Sequence, residues 1–176
     1  RRLPVLVHEG LRPTGDRVKE TLFNWLMSAI TNANCLDMFA GSGSLGIESL
    51  SRGAGFTVFI ESDKTVAQQI TTNLETLRET QKASVVNASA LNHCFTQSDE
   101  AFTKQFNIVF IDPPFGKDMV NKSLHKLLKE NVLAANAFIY IETGHNDKYQ
   151  VPAQFSLLKE LKTSQVNACL FQFNKN

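Results

Sequence analysis

Apolar residues recur at Val18, Leu22, Phe23, Leu26, Met27 and Ile30, a helical period that begins after the loop Gly10-Leu-Arg-Pro-Thr-Gly15. Thr14 or Asp16 stands where such a helix takes its N-cap. Beyond it the pattern switches between short apolar runs and amphipathic stretches. Cys35–Ala40 reads as a buried strand ending in a Gly-rich turn, and Leu45–Ser51 as the helix that follows. Phe56–Ile60 is a second strand, and Thr65–Thr80 a polar-faced helix carrying Val66, Ile70, Leu74 and Leu77. Ser84–Asn87 and the strongly apolar Phe106–Ile111 are strands, Val120–Leu133 is helical, and Phe138–Ile141 is the next strand. The tail differs: Phe155–Lys162 and Val166–Phe173 alternate like strands, with no long helix between them.

This order, β-α-β-α-β-α-β-α-β and then two strands, predicts an α/β fold. A mostly parallel, twisted sheet carries helices on both faces, and the final pair forms a hairpin that adds one antiparallel strand. In such sheets ligands bind beyond the carboxyl ends of the strands, near the switch in strand order. Strand ends are therefore the positions to search.

Composition narrows the class without naming a function. The 176 residues predict one domain spanning 1–176, with 1–16 as an N-terminal arm. The opening Arg1-Arg2-Leu3, without methionine, reads as an arm cut short upstream. No apolar run nears the ~20 residues of a membrane span, and no secretory leader is evident. Cys35, Cys94 and Cys169 are odd in number and far apart, which predicts reduced core thiols and a cytoplasmic setting. His8, His93, His125 and His145 lack metal-ligand spacing, so no metal is expected. A net charge of +1 carries no global signature of nucleic-acid binding; the local excess of Arg1, Arg2, Arg12, Arg17 and Lys19 is weak.

Three strand ends carry chemistry. In Asp37-Met-Phe-Ala-Gly-Ser-Gly-Ser-Leu-Gly46 the glycines match G-x-G-x-x-G between strand and helix. That loop suits any ligand that approaches the backbone closely. Asp37 discriminates: an acid repels a pyrophosphate but favours a sulfonium and an ammonium, as in S-adenosylmethionine. Glu61, twenty residues past Gly41, is placed to accept hydrogen bonds from ribose hydroxyls; Asp63 is the alternative, or a helix cap.

The third end is Asn107-Ile-Val-Phe-Ile-Asp-Pro-Pro-Phe115. A ring-conjugated amino group is a poor nucleophile because its lone pair is delocalised. Asp112 and the carbonyl of Pro113, accepting its N–H bonds, orient the nitrogen and make it more tetrahedral. Pro113 and Pro114 fix φ and offer no competing N–H, and Phe115 stacks on a base taken out of its helix.

These elements resemble class I S-adenosylmethionine-dependent methyltransferases of the amino-methylating group with a (D/N)-P-P-(F/Y/W) motif. The segments "GLRPTGDRVKETLFNWL", "CLDMFAGSGSLGIESLSRGA", "VVNASA" and "NIVFIDPPF" resemble the bacterial RsmD-type 16S ribosomal RNA guanine methyltransferases over nearly the whole chain. The resemblance implies a Rossmann-like three-layer sandwich with a seven-stranded sheet. It implies methylation of the 2-amino group of guanine 966 in 16S ribosomal RNA, within the 30S subunit. Nothing in the sequence suggests an obligate interface, and a monomer is expected.

The catalytic set so implied is Asp112, Pro113, Pro114 and Phe115. The cofactor set is Asp37, Phe39, Ala40, Gly41, Ser42, Gly43, Gly46, Glu61, Ser62, Ser89, Ala90 and Asp112, with Thr14 and Arg17. Arg1, Arg2, Arg12, Lys117 and Lys122 are the expected RNA contacts, with either the methionine carboxylate or RNA phosphate open to Arg12 and Arg17 alike. Ser89 stands where relatives often carry Asn or Asp against the adenine amine, and Gly15 where they carry Thr. Alternatives at this stage are a DNA adenine or cytosine amino-methyltransferase, a nicotinamide-dependent oxidoreductase and a catalytically silent RNA-binding module.

Overall fold

A computed structural model describes residues 15–96, 99–116 and 118–175. In chain order its elements are α1 (Asp16–Trp25), β1 (Asn34–Asp37), α2 (Ser44–Ser51), β2 (Phe56–Glu61), α3 (Lys64–Leu77) and β3 (Ala83–Asn87). Then come β4 (Phe106–Ile111), α4 (Met119–Lys129), β5 (Leu133–Gly144), β6 (Phe155–Lys162) and β7 (Val166–Phe173). All seven strands form one sheet in the order β3-β2-β1-β4-β5-β7-β6. The first five pair in parallel, and β7 runs antiparallel between β5 and β6. This is the mostly parallel sandwich with a C-terminal hairpin that the sequence predicts.

Period-two alternation in β4 builds both cores. Ile108 and Phe110 face Val18, Leu22 and Phe23 of α1, with Leu45 and Leu50 of α2 and Ile70 and Leu74 of α3 in the same cluster. Val109 and Ile111 face the opposite layer, where Val120, Leu124 and Leu127 of α4 pack. Because both faces are covered, β4 is apolar at every position but Asn107, as a buried parallel strand must be. Asn107 sits at the amino edge, where its Oδ1 accepts the Asn34 N–H at 2.8 Å. Phe23, Phe59, Phe110 and Tyr140 are fully buried, each stabilising the fold by about 2–3 kcal/mol through area removed from water.

Several expected boundaries move. The first helix stops at Trp25, and Leu26 and Ile30 are buried from the turns beyond it. Its N-cap is Gly15 with no side-chain cap bond; Asp16 lies in the first turn and Thr14 lies outside the described residues. β1 ends at Asp37, although the Met38 N–H still reaches Phe110 O and the Ala40 N–H reaches Ile60 O. Left-handed residues trim two helices: Arg78 (φ 58°) closes α3, and Asn131 (φ 53°) separates α4 from β5.

β5 is longer than predicted. Its amino half passes through Asn136 at φ 63°, with a register shift against β4 between Phe106 and Ile108. The alternating pattern also implied a crossover helix between β3 and β4. The described residues there show only a short 3-10 turn, Glu100–Phe102, whose Ala101 and Phe102 are buried. Cys35 and Cys169 are buried free thiols as expected, but Cys94 is exposed.

Candidate active site

The strand order reverses between β1 and β4, and the carboxyl ends of β1, β2, β3 and β4 surround a cleft of about 300 Å³. Each wall follows from a local feature of the sequence. After β1 the chain turns through Gly41 (φ 55°) and Gly43 (φ 80°), conformations that glycine adopts without strain. Gly43 is the N-cap of α2. Gly46 serves packing instead: a Cβ there would lie 2.2 Å from the Phe59 ring, so only glycine lets α2 rest on β2.

Asp37 closes β1 at 1 % exposure, and its Oδ2 accepts the Gly46 N–H at 3.1 Å. Burial pushes its carboxyl up to about 7, against the lowering effect of the Gly46 bond; the nearby Glu61 charge adds to the rise. Glu61 closes β2 as a clip. Its Oε1 accepts the Gly41 N–H at 3.0 Å and its Oε2 the Asp63 N–H at 2.7 Å, so one carboxylate locks the glycine turn to the start of α3. Asp63 proves to be the N-cap of α3, accepting the Val66 N–H at 3.0 Å, and it also lines the cleft.

On the other side, β4 delivers Asp112, Pro113 and Pro114 to the wall. Pro113 is buried, while Asp112 and Pro114 are half-buried. Phe115 projects past the wall at 44 % exposure, on the rim beside Gly144. Ser89 and Ala90 line the cleft after β3.

Of the residues singled out in the sequence, Asp37, Phe39, Ala40, Gly41, Ser42, Glu61, Ser62, Ser89, Ala90, Asp112, Pro113 and Pro114 share this one cleft. Gly43 and Gly46 shape the turn and helix behind it. Arg17 is exposed on the first turn of α1, off the cleft wall, and Lys122 is exposed on α4, one turn past Met119. Arg1, Arg2, Arg12, Thr14 and Lys117 lie outside the described residues.

Sequence reasoning missed Met38, Ile60, Val66, Leu91 and Met119, which supply apolar wall. Val66 had a signal, being in the first turn after the Glu61 strand end. Met119 had none, because its role depends on where α4 begins. The described lining carries the carboxylates of Asp37, Glu61, Asp63 and Asp112 and no Lys or Arg. Among the described residues no group of three or more His, Cys, Asp or Glu is placed to hold a metal, and no helix is long and apolar enough to cross a membrane.

Comparison with known proteins places this geometry. The family described as conserved hypothetical protein 95 matches residues 1–172. The chain is 48 % identical to ribosomal RNA small subunit methyltransferase D of Haemophilus influenzae, over 98 % of this chain and 88 % of that protein. It is 44 % identical to the protein of the same name from Escherichia coli K12, over 98 % and 84 %. The solved structure of the Escherichia coli protein yhhF superposes with a TM-score of 0.84 at 41 % identity, covering 99 % of this chain and 92 % of that one. At the level of fold alone, an RNA methyltransferase from Salinibacter ruber in complex with S-adenosyl-L-homocysteine matches with a TM-score of 0.68 at 11 % identity, over 94 % and 95 %.

Proposed function

The chain belongs to the conserved hypothetical protein 95 family, the RsmD-type methyltransferases, and from that premise we propose its reaction. It transfers a methyl group from S-adenosylmethionine to the 2-amino group of a guanine in 16S ribosomal RNA, at position 966 in the family's usual description, within the 30S particle.

The observation that carries this reading is the acidic cleft at the strand switch, beside an Asp-Pro-Pro-Phe wall. The acidic side chains of Asp37, Glu61, Asp63 and Asp112 in the described lining suit a ligand with a sulfonium and an ammonium. The donor set fits the rest of that cofactor. Each Glu61 oxygen holds one backbone N–H and keeps a lone pair for a ribose hydroxyl. Ile60, Val66, Ala90 and Leu91 offer apolar walls to a purine. When bound, the cofactor supplies an electrophilic methyl on a cationic sulfur.

The chain's own residues prepare the acceptor. Asp112 and the carbonyl of Pro113 accept the two N–H bonds of the guanine amine, which frees the nitrogen lone pair from the ring. Asp112 also stabilises the positive charge that develops on that nitrogen and takes up the proton it releases. Pro113 and Pro114 hold the accepting carbonyl in place, and the Phe115 ring stacks on the extruded base. With the cofactor bound, much of the rate would come from how Asp112, Pro113 and Phe115 position the acceptor nitrogen toward the methyl.

The deciding experiment incubates the protein with labelled cofactor and 30S particles that lack the modification, then maps the methylated nucleotide. Label in a guanine of 16S RNA supports the reading. Label in DNA but not in 30S, or no transfer together with thermal stabilisation by NAD rather than by adenosylhomocysteine, rejects it.

A further inference from the structure

Resting on the reading that Phe115 stacks on the target base, we propose that Asp147 is a positioning residue for the base-binding loop. It clips the segment after β4 to the turn after β5 and so fixes the pose of the ring. Its Oδ1 accepts the Gly116 N–H at 2.9 Å and its Oδ2 the Gly144 N–H at 3.3 Å, while its own N–H donates to Gly144 O at 3.2 Å.

Phe115 lies against Gly144: a Cβ built there would sit 3.4 Å from two atoms of the ring and 3.5 Å from Asp147 Oδ2. Gly116, the next residue, adopts φ +76° with open space where a Cβ would stand. Ring and clip are therefore adjacent in the chain, and the hinge residue between them is intrinsically permissive.

A second tie fixes the far end of the same loop. The Asn121 Oδ1 accepts the Gln150 N–H at 2.9 Å, and its Nδ2 donates to Asp118 Oδ1 at 2.6 Å. Both ties run to the segment after β5, and neither touches the glycine turn or Glu61. A half-exposed ring on a glycine hinge must lose motion when a base arrives, and a preformed clip removes that cost from binding. Asp147 thus acts on RNA engagement, through Phe115, and leaves the cofactor half untouched.

The test compares the intact chain with Asp147→Ala, Asp147→Asn, Phe115→Leu and the Phe115→Leu/Asp147→Ala double variant. Three quantities are read: steady-state methyl transfer to unmodified 30S particles, adenosylhomocysteine affinity, and hydrogen exchange of the 112–118 segment. Asp147→Ala is expected to raise KM for the particle by up to about five- to tenfold, no more than Phe115→Leu does, because the ring is what the clip positions. Adenosylhomocysteine affinity stays within about twofold, and exchange at Gly116 rises. Asp147→Asn, keeping an acceptor for one N–H, recovers part of the loss, and the double variant is no weaker than Phe115→Leu. Unchanged KM, unchanged exchange, or cofactor affinity falling in step with KM overturns the proposal. Should the intact chain not methylate the particle, the proposed function fails, and the exchange readout still decides the clip.

Discussion

Glu61 and Asp147 each spread one carboxylate over two backbone N–H groups, yet the loops they hold differ in almost every other respect. Glu61 joins the ends of β1 and β2 in the cleft wall, tying the glycine turn to the start of α3, while Asp37, at 1 % exposure, holds the Gly46 N–H of α2. Asp147 joins the ends of β4 and β5 at the rim, beside a ring that is 44 % exposed. A small cofactor presents the same shape at every turnover, so the residues that meet it gain from being fixed beforehand. On the proposed reading the other side admits an extruded nucleotide, and its ring sits at the rim rather than in the wall. The two halves are therefore expected to fail differently.

The largest separation should come from Asp112→Asn. An amide there still offers an acceptor oxygen to the guanine amine but loses the full negative charge beside the nitrogen that becomes positive. Methyl transfer is expected to fall about a thousandfold, in the range seen when a charge-stabilising group is removed. Adenosylhomocysteine affinity, measured by calorimetry, should hardly change. Full activity in this variant would falsify the assigned chemistry. Glu61→Ala should do the reverse. Losing the proposed ribose acceptors and the Glu61 bonds to the Gly41 and Asp63 N–H groups should weaken adenosylhomocysteine about ten- to hundredfold. At saturating cofactor, kcat should largely recover.

Asp37 sharpens the comparison through pH. Its folded carboxyl lies at about 7 and its unfolded value near 4, so between those values the folded chain holds a proton that the unfolded chain has lost. Stability is therefore greatest below about 4 as far as this group is concerned, declines as pH rises to about 7, and levels off above. Asp37→Asn removes that decline. At pH 8 the variant should be more stable than the parent by up to a few kcal/mol in denaturant titrations, while binding the cationic cofactor more weakly. In the parent, cofactor affinity should improve from pH 6 to 8, as Asp37 ionises beside the incoming positive charge. A parent whose affinity is flat across that range rules out the charge role and leaves Asp37 as a loop anchor only.

How legible each half was follows from the same contrast. The cofactor side is local in sequence: Asp37, Gly41, Glu61 and Asp63 lie at strand ends whose apolar runs announce them. The β6–β7 hairpin could also be read from alternation, though not that β7 rather than β6 pairs with β5. What could not be read depends on distance. The Asp147–Gly116 bond spans 31 residues, and Met119 meets the cleft only because α4 starts where it does. The division of labour among the glycines was hidden too, because the contact that demands Gly46 is with Phe59 on another strand. The described residues before β4 form a short 3-10 turn rather than a crossover helix, so strand alternation predicts topology better than it predicts what fills each connection.

The smallest expected effect tests the open side. Phe115→Leu keeps an apolar surface but loses the flat face, and base–aromatic stacking contributes about 1–3 kcal/mol. KM for the 30S particle should rise roughly five- to tenfold, with kcat at saturation and the melting temperature nearly unchanged, because a ring 44 % exposed holds little of the core together. Phe110→Leu, one strand face away at 0 % exposure, should give the opposite signature. Its lost packing against Phe23 and Tyr140 lowers the melting temperature by several degrees, while KM holds wherever the protein stays folded. If the two phenylalanines instead shift KM and melting temperature together, the rim ring is part of the core and the open side is not open.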